Sequence, residues 1–372
     1  MAEYKTLVKK IPISPDKKTK QKDYLKKGQL PIVDQGQSLV GGYTDDANMT
    51  VECELPVIVF GDHTRAVKYI TFPFGAGADG IKVLQPKENI LPPFLYYGTQ
   101  YIVAKMPNRG YARHYQYVEK EDLPVPSLPE QERIVARIEE LFSQLDAGVE
   151  TLKKTKAQLA VYRQAVLKDV FDGAIGCKTD TIQSVCSNIV DCPHSTPKWV
   201  GDGKICLRTT NFKRGYLDLS EKNYVSEETF DKRNARLIPQ PGDVLYSREG
   251  AILGIACIIP EDLFVCLGQR MMLLRVNEKM LGRFLMHYLN SPKVTSFVAT
   301  KTGGSASPHV NVGDIKEFVV PIPPISEQQK MLEQIESRLS VCDSIEQTVD
   351  TALQLAEAMQ QSILKDAFEG RL

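Results

Sequence analysis

The 372-residue chain has no apolar run near the roughly 20 residues that a membrane-crossing helix needs. Met1 to Lys10 is charged where a secretory leader would be apolar, so the two absences together predict a cytoplasmic protein with no membrane partner. None of the eight cysteines, Cys53, Cys177, Cys186, Cys192, Cys206, Cys257, Cys266 and Cys342, stands in a Cys-x-x-Cys pair. Five residues separate Cys186 from Cys192, too many for the usual zinc-knuckle arm. The cysteines read as reduced, mostly buried thiols. The five histidines are scattered, with no His-Glu-x-x-His pair, and point to neither metal chemistry nor a triad. No G-x-x-x-x-G-K-[ST] loop occurs, so any ATP-driven motion belongs to another chain. Charge of one sign is missing too: 46 Lys plus Arg face 46 Asp plus Glu, without the basic surplus that phosphate binding normally leaves.

That balance hides a pattern. Residues 1–123 carry a net +3, 124–175 a net −1, 176–320 a net +3 and 321–372 a net −5. Two mildly basic stretches alternate with two acidic ones, which suggests two anion-facing surfaces joined by pieces with another task. Self-comparison gives the same division. Pro124 to Gly173 aligns with Pro321 to Gly370 without a gap at an offset of 197, so that Pro-Val-Pro-Ser-Leu-Pro-Glu-Gln faces Pro-Ile-Pro-Pro-Ile-Ser-Glu-Gln. Each copy predicts one long helix, from a proline-rich start to a glycine stop, with Ser326 as an N-cap in the second. Apolar heptads support it: Ile138, Leu145, Leu152, Leu159 and Val166 form one row, Ile134, Leu141 and Tyr162 the other. The matching rows of the second copy are Ile335, Cys342, Val349, Ala356 and Ile363, then Met331, Ile345, Ala352 and Met359, with Arg338 as the misfit. The spacing predicts two coiled-coil helices, each roughly 65 Å long at about 1.5 Å per residue.

The two globular stretches repeat loosely. Gln29 to Gly36, then Gly41 to Tyr43, corresponds to Lys204 to Asn211, then Gly215 and Tyr216; Leu55 to Gly61 corresponds to Gly242 to Ser247, and Phe94-Leu95 to Phe284-Leu285. Short β runs broken by Gly, Pro and Asp dominate both. The expected fold is therefore α+β: β-rich domains at 1–123 and 176–320, separated by long helices at 124–175 and 321–372, with a pseudo-two-fold internal repeat.

At the two proline-rich helix starts the sequence resembles the specificity subunit of type I restriction-modification systems. Further matching pieces are Pro31 to Gly36 with Gly41 to Thr44, Phe60 to Arg65, Pro193 to Pro197, Leu207 to Asn211, Gly242 to Arg248, and Thr302 to Gly304. It departs from that pattern at Pro126-Ser127 and in lacking a tryptophan near the start of each domain, the single one being Trp199. The resemblance implies a DNA reader without catalysis of its own, its domains held by the two long helices packed antiparallel. Two target recognition domains would each read half of a bipartite, asymmetric site on double-stranded DNA. Two adenine methyltransferase subunits and two motor-nuclease subunits would be its partners. No cofactor would bind this chain; S-adenosylmethionine, ATP and Mg would sit on those partners. The competing reading is a coiled-coil scaffold whose domains bind protein or RNA, with a stand-alone methyltransferase a poorer third.

Base edges are read by Arg, Asn and Gln, and phosphates are held by Lys, Arg, Ser and Thr, from polar turns and not from strands. In the first domain the candidates are His63, Thr64, Arg65 and Lys68, with Arg109, Tyr111, Arg113 and His114 in a later loop. In the second they are His194, Ser195, Thr196 and Lys198, then Arg208, Thr209, Thr210, Asn211, Lys213 and Arg214. Ser247, Arg248, Gln269, Arg270, Lys301, Thr302 and Ser305 complete the set; Glu249 beside Arg248 reads first as an ion pair alone, then as orienting that guanidinium or accepting from a cytosine amino group.

Two enzyme-like motifs are declined. Gly75-Ala-Gly-Ala-Asp-Gly80 fits a dinucleotide loop, but Pro73 interrupts the strand before it and Ile81 to Leu84 reads as strand where a helix should open. Leu91-Pro-Pro-Phe94 resembles the tetrad with which amino-methyltransferases hold a target amine, yet Leu91 offers no acceptor. His287 reads as a packed helix residue and not as a ligand.

Overall fold

The computed structural model describes residues 1–78, 80–107, 110, 112–174, 176–302 and 308–372. The chain forms two compact units, Met1–Lys153 with Asp350–Leu372, and Lys154–Val349. Among the described residues no helix is long and apolar enough to cross a membrane.

In the first unit a four-stranded antiparallel sheet runs in the order Val8–Ile11, Ile81–Pro86, Val57–Gly61, Val67–Ile70. The Val-Ile-Val-Phe run is apolar throughout because both faces of its strand are covered. Ile58 and Phe60 pack with Phe94, Leu95 and Ile134, while Val57 and Val59 pack with Val33, Ile70, Phe74 and Val83. A smaller sheet, Lys18–Thr19, Gly75–Gly77, Leu30–Val33, Gly42–Thr44, has parallel pairs flanking Gly75–Gly77. There the glycines serve close backbone approach: a Cβ on Gly77 would lie 2.5 Å from Asp34 Cβ. The dinucleotide-like motif thus holds one strand, Gly75–Gly77, and is followed by another, Ile81–Pro86, where a helix would be needed.

The second unit repeats this plan. Its antiparallel sheet is Cys186–Asp191, Met271–Val276, Val244–Ser247, Ala256–Ile258, and its smaller sheet pairs Lys204–Leu207 in parallel with Val265–Leu267. Val244 and Tyr246 face one cluster and Leu245 the other, the same alternation. A two-stranded ribbon closes each globular part, Ala2–Glu3 with Asp122–Leu123 and Thr179–Thr181 with Val319–Pro321.

The helices run from Leu128 to Asp172 and from Ile325 to Phe368. Pro129 is tolerated because the first turn needs no intrahelical donor there. Ser326 lies inside the second helix and not at its cap; the Pro324 carbonyl accepts from the Glu327 and Gln328 amides at 2.8 and 3.0 Å. Each unit holds the start of one helix beside the end of the other, antiparallel. In the first, Phe368 packs on Phe94 and Tyr101 at 5.0 and 5.4 Å between ring centroids, and Arg133 donates to the Leu372 carbonyl at 2.9 Å. In the second, Phe171 meets Phe284 and Tyr288 at 5.3 and 5.1 Å, and Arg163 pairs with Asp343 and Glu346 at 2.7 and 2.8 Å.

Of the heptad rows, only the one through Ile138 and Ile335 stays covered along the helices. The other surfaces at Tyr162, Ile345 and Met359. It was never continuous, since Gly148, Thr155 and Arg338 occupy it.

One device fixes helix to domain twice. Buried Gln131 accepts from the Leu91 amide at 2.9 Å and donates to the Asn89 and Pro126 carbonyls at 3.0 and 2.9 Å. Buried Gln328 accepts from the Leu281 amide at 2.8 Å and donates to the Lys279 and Pro323 carbonyls at 2.8 and 2.9 Å. The Leu91 of the declined tetrad is therefore the seat of this lock.

Candidate nucleic-acid interface

A strand must hand over its ladder at its end, and in both units the same connections meet there. In the first, the Asp62 amide donates to the Gly80 carbonyl at 2.6 Å and the His114 amide to the Asp62 carbonyl at 2.8 Å. In the second, the Arg248 amide donates to the Arg270 carbonyl at 3.0 Å and the Val310 amide to the Arg248 carbonyl at 2.9 Å. Gly80 and Arg270 occupy one place in this frame, and both are left-handed, with φ of 77° and 66°. The backbone lattice is common, and the side chains on it differ.

In the first unit the lattice carries exposed Thr64 and Arg113 and half-buried His63 and Arg65. Thr64 donates to the Gln35 carbonyl, the His63 Nδ1 lies 3.2 Å from the Ala112 carbonyl, and Arg65 reaches the Met106 carbonyl at 3.3 Å. Lys68 and His114, expected in exposed turns, are buried instead. The Lys68 ammonium donates to the Asp34 carbonyl at 2.7 Å, and burial pulls its pKa down, opposed by Asp34. His114 Nδ1 lies 3.1 Å from the Asp62 carbonyl. Both side chains lie under the loops, where alternation along a strand or a turn inward places them. Arg109 and Tyr111 lie outside the described residues.

In the second unit His194, Ser195, Thr196, Lys198, Arg208, Thr210 and Arg270 are exposed, with Thr209 and Gln269 half-buried. Gln269 donates to the His194 carbonyl at 2.5 Å, and the Arg208 guanidinium lies 5.7 Å from the centre of the exposed Trp199 ring. Asn211, Ser247 and Arg248 are buried, again against expectation. Asn211 accepts from the Arg208 amide at 2.9 Å and donates to the Asp218 and Glu221 carbonyls, both at 2.9 Å. Ser247 accepts from the Ile255 amide at 2.9 Å. Arg248 is held by both carboxylate oxygens of Asp191 at 2.8 and 3.0 Å and by Glu249 at 2.6 Å. Burial works against its charge, but Asp191 and Glu249 more than offset that and hold its pKa above the ordinary value. The ion-pair reading of Glu249 is the one observed.

Three candidates bond away from this cluster: Lys213 to Asp218 at 3.7 Å, Arg214 to the Asn290 carbonyl at 3.5 Å, and Lys301 over the Phe297 ring at 5.6 Å. Thr302 donates to the Val298 carbonyl at 2.9 Å within its own helix, and Ser305 lies outside the described residues.

Arg233 carries no signal in the sequence that would single it out. Buried, it donates to the Leu267, Gly268, Ser195 and Pro193 carbonyls at 2.6, 2.8, 3.1 and 3.2 Å, tying two of these loops together. Its setting, Glu-Glu-Thr-Phe-Asp-Lys-Arg-Asn, looks like any solvated helix. Nothing in the sequence marks Trp199 or Asp191 as members of this cluster either. Among the described residues no group of three or more His, Cys, Asp or Glu side chains could hold a metal ion.

The family model described as type I restriction modification DNA specificity domain matches residues 10–160 and 197–355, one match on each globular part and beyond it into the adjoining helix. The chain belongs to that family. Its similarity to curated specificity subunits runs along most of its length: 25% identity to the type I restriction enzyme EcoBI specificity subunit of Escherichia coli, over 90% of this chain and 74% of that one. Identity to the EcoR124I/EcoR124II specificity subunit of the same organism is 24%, over 91% and 86%. In fold, the specificity-domain chain is similar to a solved chain described under complex assembly and conformational transition of the type I R-M system, with a TM-score of 0.68 at 17% identity, over 100% of this chain and 97% of that one.

Proposed function

We propose that this chain is the DNA sequence-specificity subunit of a type I restriction-modification complex, reading one half of a bipartite, asymmetric site with each globular part. The observation that carries the reading is the common loop lattice, Asp62 on Gly80 and Arg248 on Arg270, dressed with different side chains in the two units. A shared frame places side chains at equivalent heights; unlike side chains select unlike bases. Recognition domains at 1–123 and 176–320 would carry the reading loops. Within the second, exposed Lys198, Arg208 and Arg270 stand where they can reach a duplex, while Gln269, Arg233, Asn211, Ser247 and Arg248 shape the loops.

The helical segments 124–175 and 321–372 supply the docking surface for two adenine methyltransferase subunits, with two motor-nuclease subunits joining for restriction. Val161, Tyr162, Val341 and Ile345 are exposed on the helices in one unit, and Leu355 and Met359 in the other, an apolar surface suited to protein and not to phosphate. Catalysis belongs to those partners.

Mapping modified adenines in DNA methylated by the complex tests this reading. Two different half-sites at a constant separation are expected. Methylation without a sequence motif, or gel-shift affinity for RNA above duplex DNA at matched salt, favours the scaffold reading instead.

A further inference from the structure

The internal repeat offers a comparison between the units. Along the helices Glu139 and Asp146 correspond to Glu336 and Asp343 at the offset of 197, and Gln360 to Arg163; in the globular parts, at the 190 offset set by Leu91 and Leu281, Pro93 corresponds to Arg283 and Tyr97 to His287. In the second unit both acids are occupied from within: Arg283 pairs with Glu336 at 2.8 Å and Arg163 with Asp343 at 2.7 Å. In the first unit the arginines are replaced by Pro93 and Gln360. Glu139 and Asp146 are exposed there, and no ion pair to either is found among the described residues.

What remains is an open groove of about 650 Å³ lined by Tyr96, Tyr97, Phe142, Gln360 and the two acids. Its aromatic wall is continuous, with ring centroids 5.1 Å apart from Tyr96 to Tyr97 and 5.7 Å from Tyr97 to Phe142. Burial and the negative charge of Glu139 and Asp146 push the Tyr97 phenol up to about 12. An aromatic face beside an uncompensated carboxylate is the setting that a guanidinium or ammonium group favours. The acids stand seven residues apart, roughly 10 Å along the helix. That is too far for one small cation and suits two side chains of one protein segment, as two separate arginines serve the other unit.

Resting on the reading that methyltransferase subunits dock on the helices, we propose that this groove of the first unit seats two cationic side chains of one methyltransferase subunit, and that its counterpart, already filled by Arg163 and Arg283, does not. The two docking surfaces are then unequal, one salt-sensitive and one not.

Native mass spectrometry of the full chain with the methyltransferase subunit, over a series of ammonium acetate concentrations, tests it. The variant Glu139→Gln/Asp146→Asn removes exposed charges only, and equal melting temperatures confirm an intact fold. Gln360→Arg keeps both acids and installs the arginine that fills the other unit. Each variant is expected to weaken one of the two methyltransferase copies at least tenfold at low salt and to leave the other unchanged. Two copies bound as tightly as to the wild type, or equal weakening of both, overturns the proposal. Wild-type chain that binds DNA but no methyltransferase overturns it at its foundation, the docking reading itself.

Discussion

At the scale of single residues, exposure divides the candidates by task. Arg270 projects from a left-handed turn at the rim of the loop cluster, whereas Lys198 stands exposed beside Trp199. Replacing a base-reading Arg270 by alanine is expected to cost about 1–3 kcal/mol on the cognate site and relax one position, while Lys198→Ala weakens all sequences alike and lowers the salt slope by about one. Titrating binding to cognate and singly substituted duplexes at several salt concentrations separates the two. His287 sets a pH dependence. Burial first, then Arg283 on its own helix, lowers its pKa from 6.5 to about 4, with Glu336 of the second long helix 4.0 Å away. Between those values the unfolded chain binds the extra proton, so stability is undisturbed above pH 6.5 and falls as pH drops from 6.5 toward 4. The loss is up to roughly 3 kcal/mol at about 1.4 kcal/mol per unit. Urea midpoints at pH 7 and 5 should diverge for the wild type and converge for His287→Gln.

At the scale of elements, the two buried glutamines outweigh their appearance. Each satisfies one amide and two carbonyls at a helix start, and Gln328→Ala leaves those buried groups without partners. A loss on the order of 2–3 kcal/mol is expected, read by chemical denaturation, because an orphaned buried polar group costs about 1–3 kcal/mol. Elements were also where the sequence was most legible. The repeat at 197, the proline-rich starts and the row through Ile138 and Ile335 mark both helices, expected at 124–175 and 321–372 and found at Leu128–Asp172 and Ile325–Phe368, because long apolar periodicity leaves little choice of face. The strands Val57–Gly61 and Val244–Ser247 lie within the matched stretches Leu55 to Gly61 and Gly242 to Ser247. The reading loops were less legible: Lys68, His114, Asn211, Ser247 and Arg248 are polar in sequence yet buried in the fold. Whether a polar side chain points out or braces a loop from beneath is decided by partners such as Asp34, Asp191 and the Leu267 carbonyl, which are remote in the chain. Arg233 shows the converse, a solvated-looking helix residue that secures two loops.

At the scale of the whole molecule, the proposal that each globular part reads one half-site ties helix length to a count of unread base pairs. Inserting seven residues in each helix, after Lys153 and after Val349, adds about 10 Å at 1.5 Å per residue, or about three base pairs at 3.4 Å each. The methylated motif should then keep both half-sites and gain about three unread pairs; an unchanged separation shows that helix length does not set the spacing.

The division of the chain also orders its maturation. The second unit is a continuous stretch, Lys154–Val349, whereas the first is incomplete until Asp350–Leu372 has been made. As the polypeptide grows, Phe94 and Tyr101 must wait for Phe368, the last aromatic residue, to cover them. A chain stopped after Val349 should therefore resist proteolysis in its later half and be cut in its earlier one. The part translated first is the part that matures last, because the apolar seat of Phe94 and Tyr101 stays bare until Phe368 arrives.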